Sequence, residues 1–389
     1  MNEIERFRAV VHFEVPDYVP IFAFPGAPGV SGGVLTQVHD RLRATGMPTH
    51  VGGVWNLNRG PTDLESWQWY WGTTGPLTCN ISLEQGVRGF ASSMRIEGGY
   101  EIIESESGAL TRQVLDNSNV YSMPEFVVYP VRDRESWEFY REHMTPAGTM
   151  PRDEVEERCR QYDGRDRPLV IHAGAAYAFL RGLLGPEGLS VAFYDEPELL
   201  HDMMDWNLAQ TRAYVLPLIE RLRPEIVQMG EDLCYNHGML LSPRQFREFC
   251  GAFYREVCDA ARACGADLVA VDTDGNAMEF VGVAESYGVG GLFPFEVKAG
   301  NDLFELRRRY PTLVLFGWLE KEAVNEGKGH LIEQEILSKV PPLVQQGGYF
   351  PNADHALQPL ATFENLCKFM TLLHEVTGNP EGTFPRVGR

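Results

Sequence analysis

The stretch SPRQFREFCGAFYREVCDAARACGADLVAVDTDGN, residues 242–276, decides the fold class because it carries a helix signal and then a strand signal. Ser242 followed by Gln245 three positions later is the pattern of a capping box, which starts a helix. Gly265 follows the helical period and predicts its end. The run DLVAV at 267–271 then predicts a buried strand. A helix that leads into such a strand is the repeating unit of an α/β protein.

The same unit recurs along the chain. Strands are predicted at 19–24, 168–172, 225–229, 267–271, 290–295, 312–316 and 347–350. Helical patterns separate these strands from about residue 165 onward, as in βαβ units around a parallel sheet. The turn PGAPGVSGG after the first strand lacks the glycine fingerprint of a doubly wound dinucleotide-binding fold. We therefore expect a (β/α)8 TIM barrel that forms one domain over residues 1–389.

Residues 50–130 depart from this pattern and predict an N-terminal excursion from the barrel. The alternating sequence MRIEGGYEIIESESGALTRQVLD is typical of strands joined by Gly-Gly and Ser-Gly turns, so we expect a β-hairpin insertion. Four of the seven tryptophans fall between residues 55 and 71. This Trp-rich segment is a candidate contact for a homodimer.

Composition excludes several classes of partner. The formal net charge of -20 and a pI near 4.9 argue against nucleic acid or an anionic membrane as the main ligand. Seven cysteines without a CxxC pair indicate reduced thiols rather than a disulfide framework. The charged N-terminus has no signal-peptide core, and no apolar run approaches the ~18 residues of a membrane span. A cytoplasmic location is therefore expected.

Polar side chains follow six of the predicted strands, at the point where each strand ends. They are His172, Glu231, Asp232, Tyr235, His237, Asp272, Asp274, Asn276, Glu296, Trp318, Asp354 and His355. In a barrel the carboxyl ends of the strands meet at one mouth, where active sites are built. Each residue alone also has a structural interpretation, such as the N-cap of the next helix. Their recurrence at successive strand ends favours a functional site.

Several acids and histidines in one pocket need a metal, a cationic ligand or shared protons. Asp272, Asp274, Glu231 and His355 have the chemistry for zinc or another divalent metal, with Cys234 as a further candidate ligand. Alternatively, one carboxylic acid keeps its proton and serves as a general acid. The residues leave both alternatives open.

Several segments resemble the uroporphyrinogen decarboxylase superfamily. They are ERFRAVVHFEVPDYVPI, GEDLCYNHGMLLSPRQFREFC, DLVAVDTDGN, GLFPFEVKAGNDLFELRRRY, LFGWLEK and GGYFPNADHALQPLATFEN. The likeness runs along nearly the whole chain and is most specific over 225–366. It implies a (β/α)8 barrel, in agreement with the strand pattern.

The superfamily resemblance implies two activities. True decarboxylases act on a tetrapyrrole without a cofactor and carry an Arg-rich segment after the first strand. In this sequence the segment after the first strand is FPGAPGVSGG, residues 24–33, and the next arginine is Arg41. A second branch transfers methyl groups with corrinoid proteins and binds zinc through His-x-Cys and a later Cys. In this sequence, Asp272, Asp274 and His355 stand in those places.

The resemblance and the strand ends together favour a methyltransferase-like enzyme whose corrinoid is carried by a partner protein. The predicted catalytic residues are Asp272, Asp274, Glu231, His237 and Tyr235. The predicted substrate-binding residues are His172, Asp232, Glu296, Trp318, Asn276 and Asp354. The predicted metal ligands are Asp272, Asp274, His355 and Glu231. One alternative is cofactor-free decarboxylation of a uroporphyrinogen-like tetrapyrrole, and another is a barrel that binds a ligand or corrinoid without catalysis.

Overall fold

The computed structural model describes residues 1–23, 29–56, 60–79, 92–105, 108–115, 124–143 and 152–388. Phe24 of the first predicted strand and part of the turn after it lie outside these residues.

Helices and short helical turns cover much of the described chain. The α-helices are α1 Glu3–Val11, α2 Thr36–Ala44, α3 Leu64–Trp71, α4 Arg134–His143, α5 Arg152–Arg160, α6 Tyr177–Asp195, α7 Pro197–Gln210, α8 Leu216–Leu222, α9 Pro243–Gln245, α10 Gly251–Cys264, α11 Phe280–Glu285, α12 Leu303–Arg309, α13 Ile332–Gln346 and α14 Phe363–Thr377. Turns of π-helix at Thr211–Val215 and Phe246–Cys250 join α7 to α8 and α9 to α10, and 3-10 turns form at Lys321–Val324 and Gly329–Leu331.

The strands fall into four sheets. They are β1 Val34–Leu35, β2 Val54–Asn56, β3 Gly60–Thr62, β4 Leu77–Thr78, β5 Ser93–Glu97, β6 Tyr100–Glu104, β7 Leu110–Val114, β8 Glu125–Val128, β9 Leu169–His172, β10 Ile226–Gly230, β11 Cys234–Tyr235, β12 Gly238–Met239, β13 Leu268–Thr273, β14 Gly291–Pro294, β15 Val314–Leu319 and β16 Tyr349–Ala353. The main sheet is parallel and has the order β16-β15-β14-β13-β10-β9-β4.

The local signals that predicted the helix–strand unit are confirmed. The Ser242 side chain accepts a hydrogen bond from the Gln245 backbone, and the Gln245 side chain accepts one from the Ser242 N–H. Gly265 ends α10 with a φ of 78°, a conformation that glycine adopts at little cost. The helix therefore stops where β13 must begin.

The segment around Phe22 closes the curled sheet into a TIM barrel. Phe22 bridges Thr74 in parallel, and the Thr74 N–H donates to the carbonyl of Ile21 at 3.1 Å. On its other side, the Asn352 amide donates to the Phe22 carbonyl at 2.9 Å. This segment occupies the eighth position between β4 and β16, so the predicted (β/α)8 fold is confirmed.

Two apolar clusters build the core. The larger one lies between the sheet and the surrounding helices. The second fills the lower lumen and comprises Phe7, Val10, Val11, Val19, Phe22, Val170, Ile226, Leu268, Ala270, Phe293, Val314, Phe316 and Phe350. Three of these residues belong to α1, which therefore plugs the amino end of the barrel and leaves the carboxyl end for function.

The excursion contains an antiparallel sheet in the order β5-β6-β7-β8, of which β5 and β6 form a hairpin at Gly98 and Gly99. In the Trp-rich segment, Trp67 and Trp71 are fully buried, whereas Trp69 is 65% exposed. A dimer contact here would rest on Trp69 rather than on the whole segment. In the described parts of the chain, no helix combines the length and apolar character needed to cross a membrane.

Candidate active site

The alternation of β-strand side chains points one set of residues into the barrel mouth. Leu268 and Ala270 of β13 lie in the lumen cluster, so Asp272 continues the same face upward. On the neighbouring strand Gly230 is paired with Asp272, and Gln228 is paired with His172 one strand further on. His172, Gly230 and Asp272 therefore line one wall of the lumen.

Asp272 is a carboxyl group without a side-chain hydrogen bond among the described residues. Burial raises its pKa well above the ordinary value, and the negative charges of Asp274 and Asp232 raise it further. His355 opposes this effect. The environment therefore favours the protonated form of Asp272 more than that of an ordinary aspartic acid, and the protonated form is the state of a proton donor.

Asp274 and His355 form an ion pair at the mouth. The His355 Nε2 atom lies 3.3 Å from the Asp274 Oδ1 atom. Burial acts against both charges, but the hydrogen bond and the opposite charge outweigh it, so the pKa of His355 is raised and that of Asp274 is lowered. Lys321 and Arg181 also lower the pKa of Asp274.

Lys321 holds the loops at the mouth together. Its ammonium group donates to the Glu296 Oε1 atom at 2.7 Å, while the Glu296 Oε2 atom accepts from the Gly275 N–H at 3.0 Å. The carboxylate of Asp354 accepts the backbone N–H groups of Val297 and Lys321 at 2.8 and 2.9 Å. Burial is the largest influence on Lys321, but the surrounding carboxylates raise its pKa.

His172 is on β9 and faces the same lumen. The strand β10 lies between it and Asp272 of β13. The His172 side chain is exposed to the lumen and makes no hydrogen bond within the described ranges. The surrounding barrel wall still removes part of the water around the imidazole, which lowers its pKa and favours its neutral form. A neutral imidazole can either donate or accept one hydrogen bond to a ligand.

The rim carries an aromatic pair and an ion pair. The rings of Tyr235 and His237, on the β11–β12 hairpin, meet edge to face with centroids 5.6 Å apart, and both side chains are exposed. Arg181 of α6 donates to the Asp232 side chain and to its carbonyl, each at 2.9 Å. These residues are placed where an incoming ligand would pass.

The structure does not bring every predicted residue to the lumen. Glu231 is buried and accepts the N–H groups of Ala176 and Ala178 at 2.9 and 3.0 Å, at the start of α6. Trp318 donates its indole N–H to the Asn301 carbonyl at 2.8 Å and packs on Phe304, outside the barrel.

Two further predicted residues have structural partners. Asn276 donates to the Ala299 carbonyl at 2.8 Å and accepts the Met278 N–H at 3.2 Å, so it shapes the loop after β13. Asp354 is occupied by backbone N–H groups as described above. Both residues stabilise the mouth from outside the lumen.

The predicted metal ligands do not fit a single ion as they stand. Glu231 is committed to the start of α6, and the Asp274 carboxylate already binds His355. Cys234 is buried and belongs to the apolar core cluster. Across the described ranges, no three His, Cys, Asp or Glu side chains are arranged to hold a metal.

The search for polar side chains after predicted strands missed two charged residues of the mouth. Lys321 lies two residues beyond the end of β15, and the sequence would have indicated it if lysines near strand ends had been included. Arg181 lies one turn into α6 and has no distinguishing sequence pattern. Arg181 reaches the mouth because of the orientation of α6, and that orientation is determined by tertiary packing rather than by a local sequence pattern.

A family model described as uroporphyrinogen decarboxylase (URO-D) matches residues 155–376, which is more than half of the chain. The chain belongs to the uroporphyrinogen decarboxylase family. The matched URO-D segment includes the candidate site from His172 to His355. No curated protein matches the sequence.

The chain also resembles a solved structure, a methyltransferase from Methanosarcina mazei. The two have a TM-score of 0.55 and 14% sequence identity over 97% of this chain and 98% of that chain. At this identity the match establishes a common fold along the whole chain. The predicted membership of the superfamily is confirmed.

Proposed function

We propose that this URO-D family member is a methyltransferase that takes a methyl group from an oxygen atom of a small molecule and passes it to a corrinoid on a partner protein. The observation that carries the proposal is Asp272, an acid with a raised pKa that faces the lumen and has no hydrogen-bonded partner among the described residues. The common fold with a methyltransferase supports it.

Asp272 would act as the general acid. As the bond between the methyl carbon and the donor oxygen breaks, the Asp272 carboxyl would give its proton to that oxygen, so the donor leaves as an alcohol or phenol. The reduced corrinoid would supply the nucleophile that accepts the methyl group. Asp272 then takes a proton from water, which the negative charge of Asp274 favours.

The charges of the mouth favour a substrate without clustered carboxylates. Within the described ranges, the cations of the mouth are already bound by acids: Arg181 by Asp232, Lys321 by Glu296, and Lys298 by Glu322. A polycarboxylate would have to displace these acids at a cost in free energy, and bidentate arginines are what usually binds such groups. Decarboxylation of a uroporphyrinogen is therefore the less favoured alternative.

The experiment supplies purified protein with reduced free cobalamin and a panel of methyl ethers, methanol and methylated amines. Demethylated products are identified by mass spectrometry. We expect turnover of an oxygen-bound donor and a loss of about 10²–10⁴-fold in Asp272→Asn, the usual contribution of a general acid. Glu305→Gln is the matched control and should retain activity, because it changes an exposed carboxylate of α12 that pairs with Arg309.

Other outcomes separate the alternatives. Release of carbon dioxide from uroporphyrinogen without methyl transfer would overturn the proposal in favour of decarboxylation. Tight ligand binding that Asp272→Asn leaves unchanged, with no turnover, would favour a non-catalytic barrel.

Metal dependence is tested by elemental analysis and by turnover after dialysis against a chelator. We propose acid–base chemistry and therefore expect activity to survive. One metal per chain whose removal abolishes turnover would restore the zinc prediction.

A further inference from the structure

One wall of the lumen is bare backbone. Gly174 and Gly230 are adjacent, since the Gly230 N–H donates to the Gly174 carbonyl at 3.2 Å, and both residues are exposed. Within the part of the chain that the structure describes, a Cβ atom added at either glycine would meet no atom within 4 Å. The wall therefore borders open space.

The backbone conformation does not require a glycine at position 230. Gly174 has a φ of 85°, which favours glycine, but Gly230 is not among the residues with positive φ. A side chain at position 230 would point along the same face as Ile226 and Gln228. Glycine in a strand often marks a place where a ligand approaches the backbone closely. At position 230, the absence of a side chain leaves room in the lumen.

The open space lies between two side chains that are free to bind. Asp272 is paired across from Gly230, and His172 is on the strand beyond, so the two strands that carry them are about 10 Å apart at two strand spacings. Neither side chain has a hydrogen-bonding partner among the residues that the structure describes. This gap suits a small molecule that binds Asp272 at one end and His172 at the other.

The other side of the lumen is filled, which fixes where the open space lies. Phe22, Phe316 and Phe350 are almost fully buried, and the rings of Phe316 and Phe350 stack with centroids 4.7 Å apart. Phe293 packs on Phe316 at 5.9 Å. The aromatic half thus provides a rigid support, and the β9–β10–β13 half provides the room.

We propose that Gly230 determines the size of the substrate, because the substrate lies against Gly230 between His172 and Asp272. The assignment of this molecule as a methyl donor rests on the proposed function. The existence of the open space does not.

The first test replaces Gly230 with a thiol and needs no substrate. Gly230→Cys is treated in the folded state with methyl methanethiosulfonate, and labelling at that position is followed by peptide mass spectrometry. Met229→Cys is the matched control, because Met229 is fully buried on the outer face of the same strand. We expect Gly230→Cys to react on the order of a hundredfold faster than Met229→Cys, as an exposed thiol does relative to a buried one.

Equal slow labelling of the two variants, or failure of both Gly230→Cys and Gly230→Ala to fold, would overturn the proposal, because it requires room for a side chain. The second test uses the methyl donor found above with Gly230→Ala and Gly230→Val. KM should rise with side-chain size while the thermal midpoint stays near that of the wild type. If no donor is found but labelling is fast, the proposed reaction fails and the pocket stands.

Discussion

The ion pair of Asp274 and His355 is expected to set the titration of His355. Removing the carboxylate in Asp274→Asn should lower the pKa of His355, because the hydrogen bond and the negative charge that raise it are lost. The measurement is the proton NMR titration of the imidazole, assigned with His355→Gln. An unchanged midpoint would contradict the pair.

The same pair has a defined effect on stability. The raised pKa of His355 stabilises the fold below about pH 6.5, its unfolded pKa, and the effect is lost as pH rises through the folded pKa. The lowered pKa of Asp274 stabilises above about pH 3.9 and is lost as pH falls. The contribution is therefore greatest between these values. With His355 and Asp274 33% and 40% exposed, it should stay near 1 kcal/mol or less.

Lys321 should matter far more to stability than another lysine of the mouth. Its side chain is 15% exposed, and Lys321→Met would leave the Glu296 carboxylate without its cation beside Asp354 and Asp274. We expect a loss of about 3–5 kcal/mol in the free energy of unfolding, measured in urea.

The matched control for this prediction is Lys298→Met, which removes a cation that is 58% exposed and binds Glu322. Its loss should be about 1 kcal/mol or less. Similar losses in both variants would show that Lys321 does not organise the mouth.

Side-chain direction explains which site residues the sequence could predict. Alternation along β13 predicts that Asp272 faces inward with Leu268 and Ala270, and the structure agrees. The same rule places Glu231 outside, because the residue before it faces the lumen. Trp318 could not be placed this way, since its φ of 66° breaks the alternation of β15.

At the scale of single elements, α6 borrows its N-terminal cap from a strand. Ala176, which precedes the helix, offers no side-chain acceptor, and Glu231 from the end of β10 accepts the N–H groups of Ala176 and Ala178 instead. Glu231→Ala should therefore cost about 1–3 kcal/mol, the penalty for buried donors without partners. Amide hydrogen exchange at the start of α6 should rise in that variant.

Glu231→Gln separates the cap from the charge. Burial raises the pKa of Glu231 to about 7, so the folded state holds the proton more tightly, and this residue's contribution weakens as pH rises from about 4.5 to 7. The glutamine variant keeps an acceptor and should lose this pH dependence when unfolding is compared at pH 5 and pH 8. Persistence of the full dependence would assign it to another group.

Strands of the barrel were predictable because each is a short apolar run between turn signals. The predicted run at 225–229 became β10 at Ile226–Gly230, and that at 347–350 became β16 at Tyr349–Ala353. The first predicted strand is different. Within the described residues, the run at 19–24 makes only a single bridge at Phe22, because side-chain contacts replace part of its ladder.

At the scale of the whole molecule, repetition of the helix–strand unit predicts the barrel but not how it closes. Closure joins residues more than 300 positions apart, and no local pattern specifies such a contact. Here Asn352 donates to the Phe22 carbonyl at 2.9 Å and to the Ser31 hydroxyl at 2.7 Å, with all three groups buried. The sequence shows Asn352 only as an asparagine near the end of an apolar run, and it does not show which distant groups its amide contacts.

Asn352→Leu should therefore destabilise the whole barrel. The substitution keeps a similar volume but leaves the Phe22 carbonyl and the Ser31 hydroxyl buried without this donor, at about 1–3 kcal/mol for each unsatisfied group. Ser31→Ala is the matched control, because it removes one of the two bonds and no backbone partner, and it should cost about 1 kcal/mol. Urea unfolding of both variants measures the difference. If the two losses are equal, the bond to Phe22 does not contribute to closure, and packing of Phe22 on Phe350 must hold the first and last strands together.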